Sequence, residues 1–245
     1  MRSSRFFHLC LLVALALAAR AEEPPPVRVD FAYASRTVFR GIERAGDALQ
    51  ADLELSRDEW RGGVRTSQPL GHGVRVADVH GGYLWAATES VSIEASLTHG
   101  WYGDVPGGGV ERSFEAGLAA TFAPVNGFTP TLAYRHDFRF QADNVELALA
   151  RSVALSKWGA FLEFNFHVGA TTGTNWRPDA GGPRRSDAYQ YWGGEVTLPY
   201  RVGPHATVVA GLHAAGNTGR SLANGAFGRA STVVFWATLG VNLDF

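Results

Sequence analysis

Along much of the sequence, charged side chains of both signs alternate with apolar side chains. In an extended chain the two kinds would lie on opposite faces. Such charged groups can pair with each other, or they can line a watery passage and bias which ions enter it. The acidic candidates are Asp52, Glu54, Glu94, Glu115, Glu146, Glu163 and Glu195, and the basic ones are Arg36, Arg61, Arg65, Arg135, Arg139 and Arg201. Asp30 and Asp78 are further candidates, on segments with a less regular alternation.

Two histidines could do different chemistry. His99 and His136 fall on the apolar phase near the ends of their segments, where an enzyme acting on lipid would place its general base. That enzyme would also need an activated nucleophile within hydrogen-bond reach. The intervening segment presents Arg112 and Phe114 on this face and turns Ser113 to the other. We therefore interpret both residues as interfacial histidines and predict no catalytic site.

No motif for a metal or a cofactor stands out. His72, His80, His167, His205 and His213 lack metal-ligand spacing. The three glycines at 107–109 are not followed by the Lys-Ser/Thr pair of a phosphate loop. The single cysteine, Cys10, lies in the N-terminal apolar run, so no disulfide is expected after processing. We expect neither a cofactor nor a metal.

The elements that carry these residues are predicted to be β-strands, most clearly at the C-terminus. Every second residue there is apolar, and the intervening residues are mostly polar or small. The apolar face holds Phe245, Leu243, Val241, Leu239, Ala237, Phe235 and Val233, and the other holds Asp244, Asn242, Gly240, Thr238, Trp236 and Val234. A period of two predicts a strand with one apolar face and one polar face.

The same pattern repeats along the chain and predicts twelve strands. They span 27–39, 47–57, 59–68, 74–87, 90–102, 111–123, 128–138, 143–155, 158–169, 187–201, 204–215 and 232–245. Every second connection is short, whereas those at 103–110, 170–186 and 216–231 are long and rich in Gly, Pro, Asn and Arg. Short periplasmic turns and long extracellular loops are typical of outer-membrane barrels.

The N-terminus predicts export. Arg2 and Arg5 precede an apolar run, 6–18, and Ala19-Arg20-Ala21 supplies the small residues of a cleavage site. We expect a signal peptide over 1–21, a short proline-rich segment over 22–26 and a barrel over 27–245. The apolar run is shorter than the roughly 20 residues of a spanning helix.

Composition narrows the function classes. The whole chain carries 22 basic and 23 acidic side chains. Removing Arg2, Arg5 and Arg20 with the signal leaves 19 against 23, a formal charge of −4, which does not suggest nucleic acid as a partner. The mean hydropathy of −0.06 fits strands that show lipid on one side and water on the other.

The fold class favoured by these patterns is all-β, a transmembrane up-and-down antiparallel β-barrel of about twelve strands. A soluble β-sandwich also shows alternating strands. It would carry charge on its outward face, however, whereas here the charges share the face of the small residues and aromatics cluster near strand ends. The C-terminal aromatic, Phe245, resembles the signal that the barrel-assembly machinery reads.

The segment Tyr33-Ala34-Ser35-Arg36-Thr37-Val38-Phe39-Arg40-Gly41-Ile42 resembles the first strand and loop of the TorF-family porins. That family carries a Tyr-x-Ser-x-Tyr-x-Phe-Arg-Gly pattern, from which this sequence departs at Arg36-Thr37. The resemblance extends through 48–53 and 60–64, so it covers about the first quarter of the chain. It implies an outer-membrane channel of poorly defined substrate and no catalytic residues.

These observations predict an outer-membrane channel for passive diffusion of small hydrophilic solutes. An outer-membrane lipid-modifying enzyme and a structural or surface-interaction barrel with a salt-bridged closed lumen are the alternatives. The expected partners are outer-membrane lipids, the barrel-assembly machinery through the strand ending at Phe245, and small solutes.

Overall fold

A computed structural model describes residues 26–104, 110–157, 160–172, 188–218 and 233–245. Twelve antiparallel strands close into a barrel, and two short strands form a separate hairpin. The barrel strands are β1 (Val27–Ala34), β4 (Ala48–Arg57), β5 (Trp60–Pro69), β6 (Arg75–Thr88), β7 (Val91–Gly103), β8 (Val110–Phe122), β9 (Thr129–Asp137), β10 (Ala142–Leu155), β11 (Ala160–Thr172), β12 (Tyr189–Gly203), β13 (Ala206–Asn217) and β14 (Val234–Asp244). The predicted fold class and strand count are confirmed.

The first predicted strand, 27–39, is wrong in its second half. The barrel strand β1 ends at Ala34, and the chain then forms the hairpin of β2 (Thr37–Phe39) and β3 (Ile42–Ala45) before β4 begins. Because β2 is itself extended, the sequence alternation runs across the break and conceals it.

The two ends of the barrel differ in their connections. At one end, which we call the short-turn end, β4 and β5 are joined by two residues, and β8 and β9 by a turn that contains Asn126-Gly127. Positive φ at both Asn126 (52°) and Gly127 (79°) suits a two-residue hairpin turn. The opposite end, the long-loop end, carries the hairpin, and most residues of the long loops predicted there lie outside the described residues.

Closure comes from pairing of the first and last strands. β1 pairs antiparallel with β14 from Arg28 opposite Asp244 to Ala34 opposite Thr238. The backbone of Val27 also exchanges two hydrogen bonds with that of Phe245, at 3.1 and 2.9 Å. A closed ladder satisfies the backbone groups that a sheet edge would expose to lipid.

Successive side chains of the barrel strands alternate between the outer surface and the lumen. Outward positions hold large apolar residues that stay exposed in the isolated chain, including Leu97 (53%) and Phe235 (71%). Aromatic side chains lie near the strand ends, as in the Trp60–Tyr83 contact at 4.8 Å between ring centroids. An apolar exterior with aromatic edges is the pattern of a lipid-facing surface.

Arg151 is a charged residue on the outward, apolar face of β10, opposite Phe164 of β11. Its strand, β10, pairs with both neighbours without a register shift, so no bulge turns Arg151 inward. Its guanidinium lies 4.9 Å from the centre of the Phe128 ring, near the short-turn end. The side chain can therefore reach the interface instead of remaining in hydrocarbon.

No helix in these described ranges is long and apolar enough to cross a membrane.

Candidate functional site

The β2–β3 hairpin folds into the barrel at the long-loop end. Its tip is Arg40-Gly41, where φ is 50° and 74°. Positive φ at both central residues is the requirement of a two-residue type I′ turn, and an arginine is uncommon there. The tip reaches β13, because a Cβ on Gly41 would lie 2.5 Å from the carbonyl oxygen of Gly216.

Side chains fasten this hairpin to distant strands. Arg40 Nη2 donates to Glu115 Oε2 on β8 at 2.6 Å, and only 12% of the Arg40 side chain and 19% of the Glu115 side chain are exposed. On the other side, Asn217 Nδ2 donates to the carbonyl of Gly41 at 2.6 Å. The hairpin therefore spans the lumen from β8 to β13.

A second hairpin arginine packs against aromatic rings. The guanidinium of Arg44 lies 4.0 Å from the ring centre of Phe39 and 5.1 Å from that of Tyr102 on β7. The backbone N–H of Val74 donates to the Arg44 carbonyl at 3.1 Å. Cation–π contact of this kind stabilises a desolvated guanidinium.

The two hairpin arginines differ in electrostatic setting. Burial lowers the pKa of Arg40, but the charge and hydrogen bond of Glu115 outweigh burial and raise it overall. Burial also lowers the pKa of Arg44, and the Tyr102 phenol offsets this only in part. Both remain charged at neutral pH, since a guanidinium does not lose its proton in proteins.

A cavity of about 840 Å³ lies in the lumen beside the hairpin. Hairpin residues and inward side chains of β1 and β4–β12 line it. Its charged lining comprises eight carboxylates, Asp30, Asp52, Glu54, Asp78, Glu94, Glu115, Asp137 and Glu146, and five arginines, Arg40, Arg44, Arg61, Arg65 and Arg135. Counting histidine as neutral, the lining carries a formal charge of −3.

Most of these charges are paired. Arg61 pairs with Glu94, Arg65 with Asp78 at 3.1 Å, Arg135 with Glu146 at 3.6 Å, and Arg40 with Glu115. Pairing of this kind is needed because unpaired charge is costly in a narrow, poorly hydrated interior.

Eight of the thirteen sequence candidates line the cavity, namely Asp52, Glu54, Glu94, Glu115, Glu146, Arg61, Arg65 and Arg135. Glu163 and Glu195 also share the inward phase, since the register aligns Glu163 with Thr197 and Glu195 with Asn165. They do not line this cavity. Glu163 accepts from the Thr197 hydroxyl at 3.3 Å, and Glu195 lies 3.1 Å from His213 Nδ1.

Three predicted lumen arginines lie elsewhere. Arg201 lies near the end of β12, where its guanidinium donates to the carbonyls of Gly203 and Pro204 at 3.0 and 2.8 Å. Arg36 follows the end of β1 and pairs with Glu43 across the hairpin at 3.4 Å. It does not project from the wall, because the strand that would have carried it ends at Ala34. Arg139 lies in the turn after β9, where its backbone N–H donates to Asp137 Oδ1 at 2.8 Å.

Sequence reasoning missed the hairpin arginines and gave no role to His80. Gly41 was a usable signal, because glycine tolerates the positive φ of a tight hairpin turn, although the preceding Arg40 is not one of the residues that usually mark such a turn. Nothing in the sequence placed Arg44 against Tyr102, which lies 58 residues further along the chain and meets it only when the hairpin folds inward.

The two outward histidines occupy the positions predicted for them. His99 packs edge-on against Trp101 at 4.3 Å, and His136 Nδ1 lies 2.9 Å from Asp143 Oδ1. Ser113 faces the lumen, where its hydroxyl is 3.3 Å from that of Tyr102. The β8 residue opposite His136 is Ala116, so no hydroxyl from that position reaches the imidazole.

Within the described part of the chain, no group of three or more His, Cys, Asp or Glu side chains is arranged to hold a metal ion.

No protein-family model and no curated protein matches this sequence. Solved barrels do match its structure. The KdgM porin in complex with disordered oligogalacturonate has a TM-score of 0.58 at 10% identity and covers 89% of this chain and 99% of its own. The NanC porin gives 0.56 at 10%, covering 89% and 100%. LpxR from Salmonella typhimurium gives 0.55 at 8%, covering 89% and 100%.

At such low identities these likenesses define the fold alone. The chain therefore has the closed twelve-stranded antiparallel barrel seen in outer-membrane porins. The resemblance to the TorF family is not confirmed by a family match and stays a prediction.

Proposed function

We propose that this protein is an outer-membrane channel through which small hydrophilic solutes diffuse passively, narrowed at its extracellular end by the β2–β3 hairpin. The observation that carries the proposal is the polar cavity of about 840 Å³ in the lumen beneath that hairpin. A charged, water-compatible interior inside an apolar exterior is the design of a solute channel. Placement in the outer membrane follows from the same exterior and from the predicted signal peptide.

In this proposal the hairpin sets the width of the passage. Arg40 and Gly41 hold its tip between β8 and β13, so a solute must pass beside Arg40, Arg44 and Glu115. Fixed charges at such a constriction favour small polar solutes and exclude apolar ones.

The test is single-channel conductance of the refolded mature protein in planar bilayers. We expect discrete channels in the wild type and a higher conductance, or more frequent switching between levels, in Glu115→Gln, because Arg40 then loses its charged partner. Glu146→Gln serves as the control, since its partner Arg135 lies on β9 and does not belong to the hairpin. A conductance change in Glu146→Gln as large as that in Glu115→Gln would contradict a role for the hairpin.

The structural alternative is supported by the four arginine–carboxylate pairs of the cavity lining. If those pairs close the lumen, the folded wild type will not conduct, whereas Glu94→Ala or Arg135→Ala will open it. That result would replace the channel by a salt-bridged structural barrel.

The outward pair of His136 and Asp143 is the feature that favours a lipid-modifying enzyme. A carboxylate beside a histidine orients the ring for proton transfer, but hydrolysis also needs a nucleophile beside the ring. The Tyr134 hydroxyl donates to the same Asp143 carboxylate at 2.6 Å, so its proton is directed to Asp143 and not to His136. The channel is therefore the better-supported function.

A further inference from the structure

We propose that the lumen holds a binding site for the cationic end of a solute, an ammonium or guanidinium group, formed by Asp52 and Glu54 of β4 with Asp78 and His80 of β6. This inference rests on the proposed channel function and assigns its substrate class.

The cavity carboxylates that have neither an arginine partner nor backbone N–H donors are confined to one place. Four of its eight carboxylates pair with its arginines, as described above. Asp30 pairs with Arg28 at 3.0 Å, and Asp137 accepts two backbone N–H bonds from the turn that follows it, at 2.8 and 3.0 Å. Asp52 and Glu54 remain, two positions apart on the inward face of β4.

Neither remaining carboxylate has an arginine or lysine within 4 Å among the described residues. Asp52 forms no ion pair there, and its Oδ1 atom is buried without a hydrogen-bond partner. Glu54 has only His80, whose Nε2 lies 3.8 Å from Glu54 Oε2. A buried carboxylate oxygen that accepts no hydrogen bond is energetically costly, so such atoms in a lumen point to a ligand that donates to them.

The neighbouring strand adds two more unsatisfied atoms. The Asp78 side chain is only 6% exposed, and Arg65 donates to its Oδ2 through Nε and Nη2 at 3.2 and 3.1 Å. Asp78 Oδ1 and His80 Nδ1 are both buried and lack partners, and their separation of 3.6 Å is too long for a hydrogen bond.

Register and a glycine bring these groups together. Asp52, Arg65 and Asp78 are opposite one another on β4, β5 and β6, and Glu54, Gly63 and His80 form the adjacent row. A Cβ on Gly63 would lie 2.9 Å from His80 Nε2, so only glycine leaves room for the ring between the two acidic strands. Arg65 is neutralised by Asp78, which leaves β4 as the negative side.

The chemistry of the site fits an ammonium or guanidinium donor. Both groups carry several N–H donors and no acceptor, and both form strong charge-assisted hydrogen bonds with carboxylates. A solute of this kind would gain bonds at Asp52 and Glu54 without breaking the Arg65–Asp78 pair.

Putrescine is a suitable probe, because butane-1,4-diol and succinate are four-carbon controls of zero and opposite charge. We expect putrescine to block the wild-type channel, and Asp52→Asn to weaken this block about tenfold, the loss of one charge-assisted hydrogen bond. Glu163→Gln removes the same charge from the lumen wall outside the cavity, and we expect it to change the block less than about twofold, by screened long-range attraction alone.

Equal weakening in Asp52→Asn and Glu163→Gln, or equal block by succinate, would overturn the site. If Asp52→Asn does not fold, as judged by its electrophoretic shift on heating, Glu54→Gln takes its place with the same expectation.

Failure of the channel proposal would be a separate result. If the folded wild type does not conduct, calorimetric titration of the refolded protein with putrescine tests the site directly. Binding that weakens in Asp52→Asn but not in Glu163→Gln supports the site without a channel, and absence of binding rejects it.

Discussion

The barrel wall and the β2–β3 hairpin are both extended chain with alternating side chains, yet different interactions hold them. Each wall strand pairs along its length with two neighbours and shows one apolar face to lipid. The two hairpin strands pair with each other, and one isolated bridge from Ala45 to Gly73 and a few contacts to Glu115, Asn217 and Val74 secure the hairpin. The wall is thus specified by a repeated pattern, whereas the hairpin depends on individual residues.

This contrast predicts that the stability of a barrel-wall variant depends mainly on whether the substituted residue faces the lipid or the lumen. Leu97→Arg places a charge on the outward face in the middle of β7 and should destabilise the barrel by about 2–4 kcal/mol, as charges at the bilayer midplane do. Ser96→Arg should cost much less, because Ser96 faces the lumen between Gly82 and Gly117. Urea unfolding of the protein in lipid vesicles measures both, and equal losses would mean that the assigned faces are wrong.

The local stability of the hairpin should instead depend on a few individual residues. Gly41→Ala should loosen it by about 1–2 kcal/mol, because an L side chain is strained at positive φ. The new Cβ would also lie 2.5 Å from the Gly216 carbonyl oxygen. Hydrogen exchange of the 37–45 amides measures the loosening, while global unfolding should change little.

Gly46→Ala is the matched control for that variant. Apart from Gly46 and its two chain neighbours, no described heavy atom lies within 4 Å of a Cβ built on Gly46, and its φ is not in the left-handed region. Faster exchange of the hairpin amides in Gly46→Ala than in Gly41→Ala would show that the tip contact does not hold the hairpin.

The smallest expected change in stability is at Arg151, near the short-turn end of the barrel wall. Arg151 lies on the same outward face as Leu97, but its guanidinium contacts the Phe128 ring near the short-turn end. Arg151→Ala should therefore lower stability by only about 0.5–1 kcal/mol, the size of an exposed cation–π contact. An increase in stability above about 1 kcal/mol would place Arg151 in hydrocarbon, where removing its charge is favourable.

The sequence predicted the wall well because its information is local and repeated. Period-two alternation assigned all twelve barrel strands, with most boundaries within three residues of those observed. It also assigned the inward phase of Ser113 correctly. A one-residue error in phase would have exchanged the lipid and lumen faces of a strand, so the apolar pattern is strongly constrained.

The candidate site was predicted only in part. Inward phase selected Asp52 and Glu54, but phase does not distinguish Glu94, which Arg61 neutralises, from Asp52, which has no such partner among the described residues. That distinction depends on which residues lie opposite one another on neighbouring strands, and hence on register, which becomes fixed only when the sheet forms.

The sequence by itself thus determined the strands, their facing and the polar interior, because a strand's two faces are set by residues adjacent in the chain. Only the tertiary structure decided that residues 37–45 leave the wall and cross the lumen. The Arg40–Glu115 pair joins residues separated by 75 positions. Such a contact leaves no periodic trace in the sequence, because it depends on the curvature of the closed barrel, which brings β8 and β13 within reach of one short hairpin.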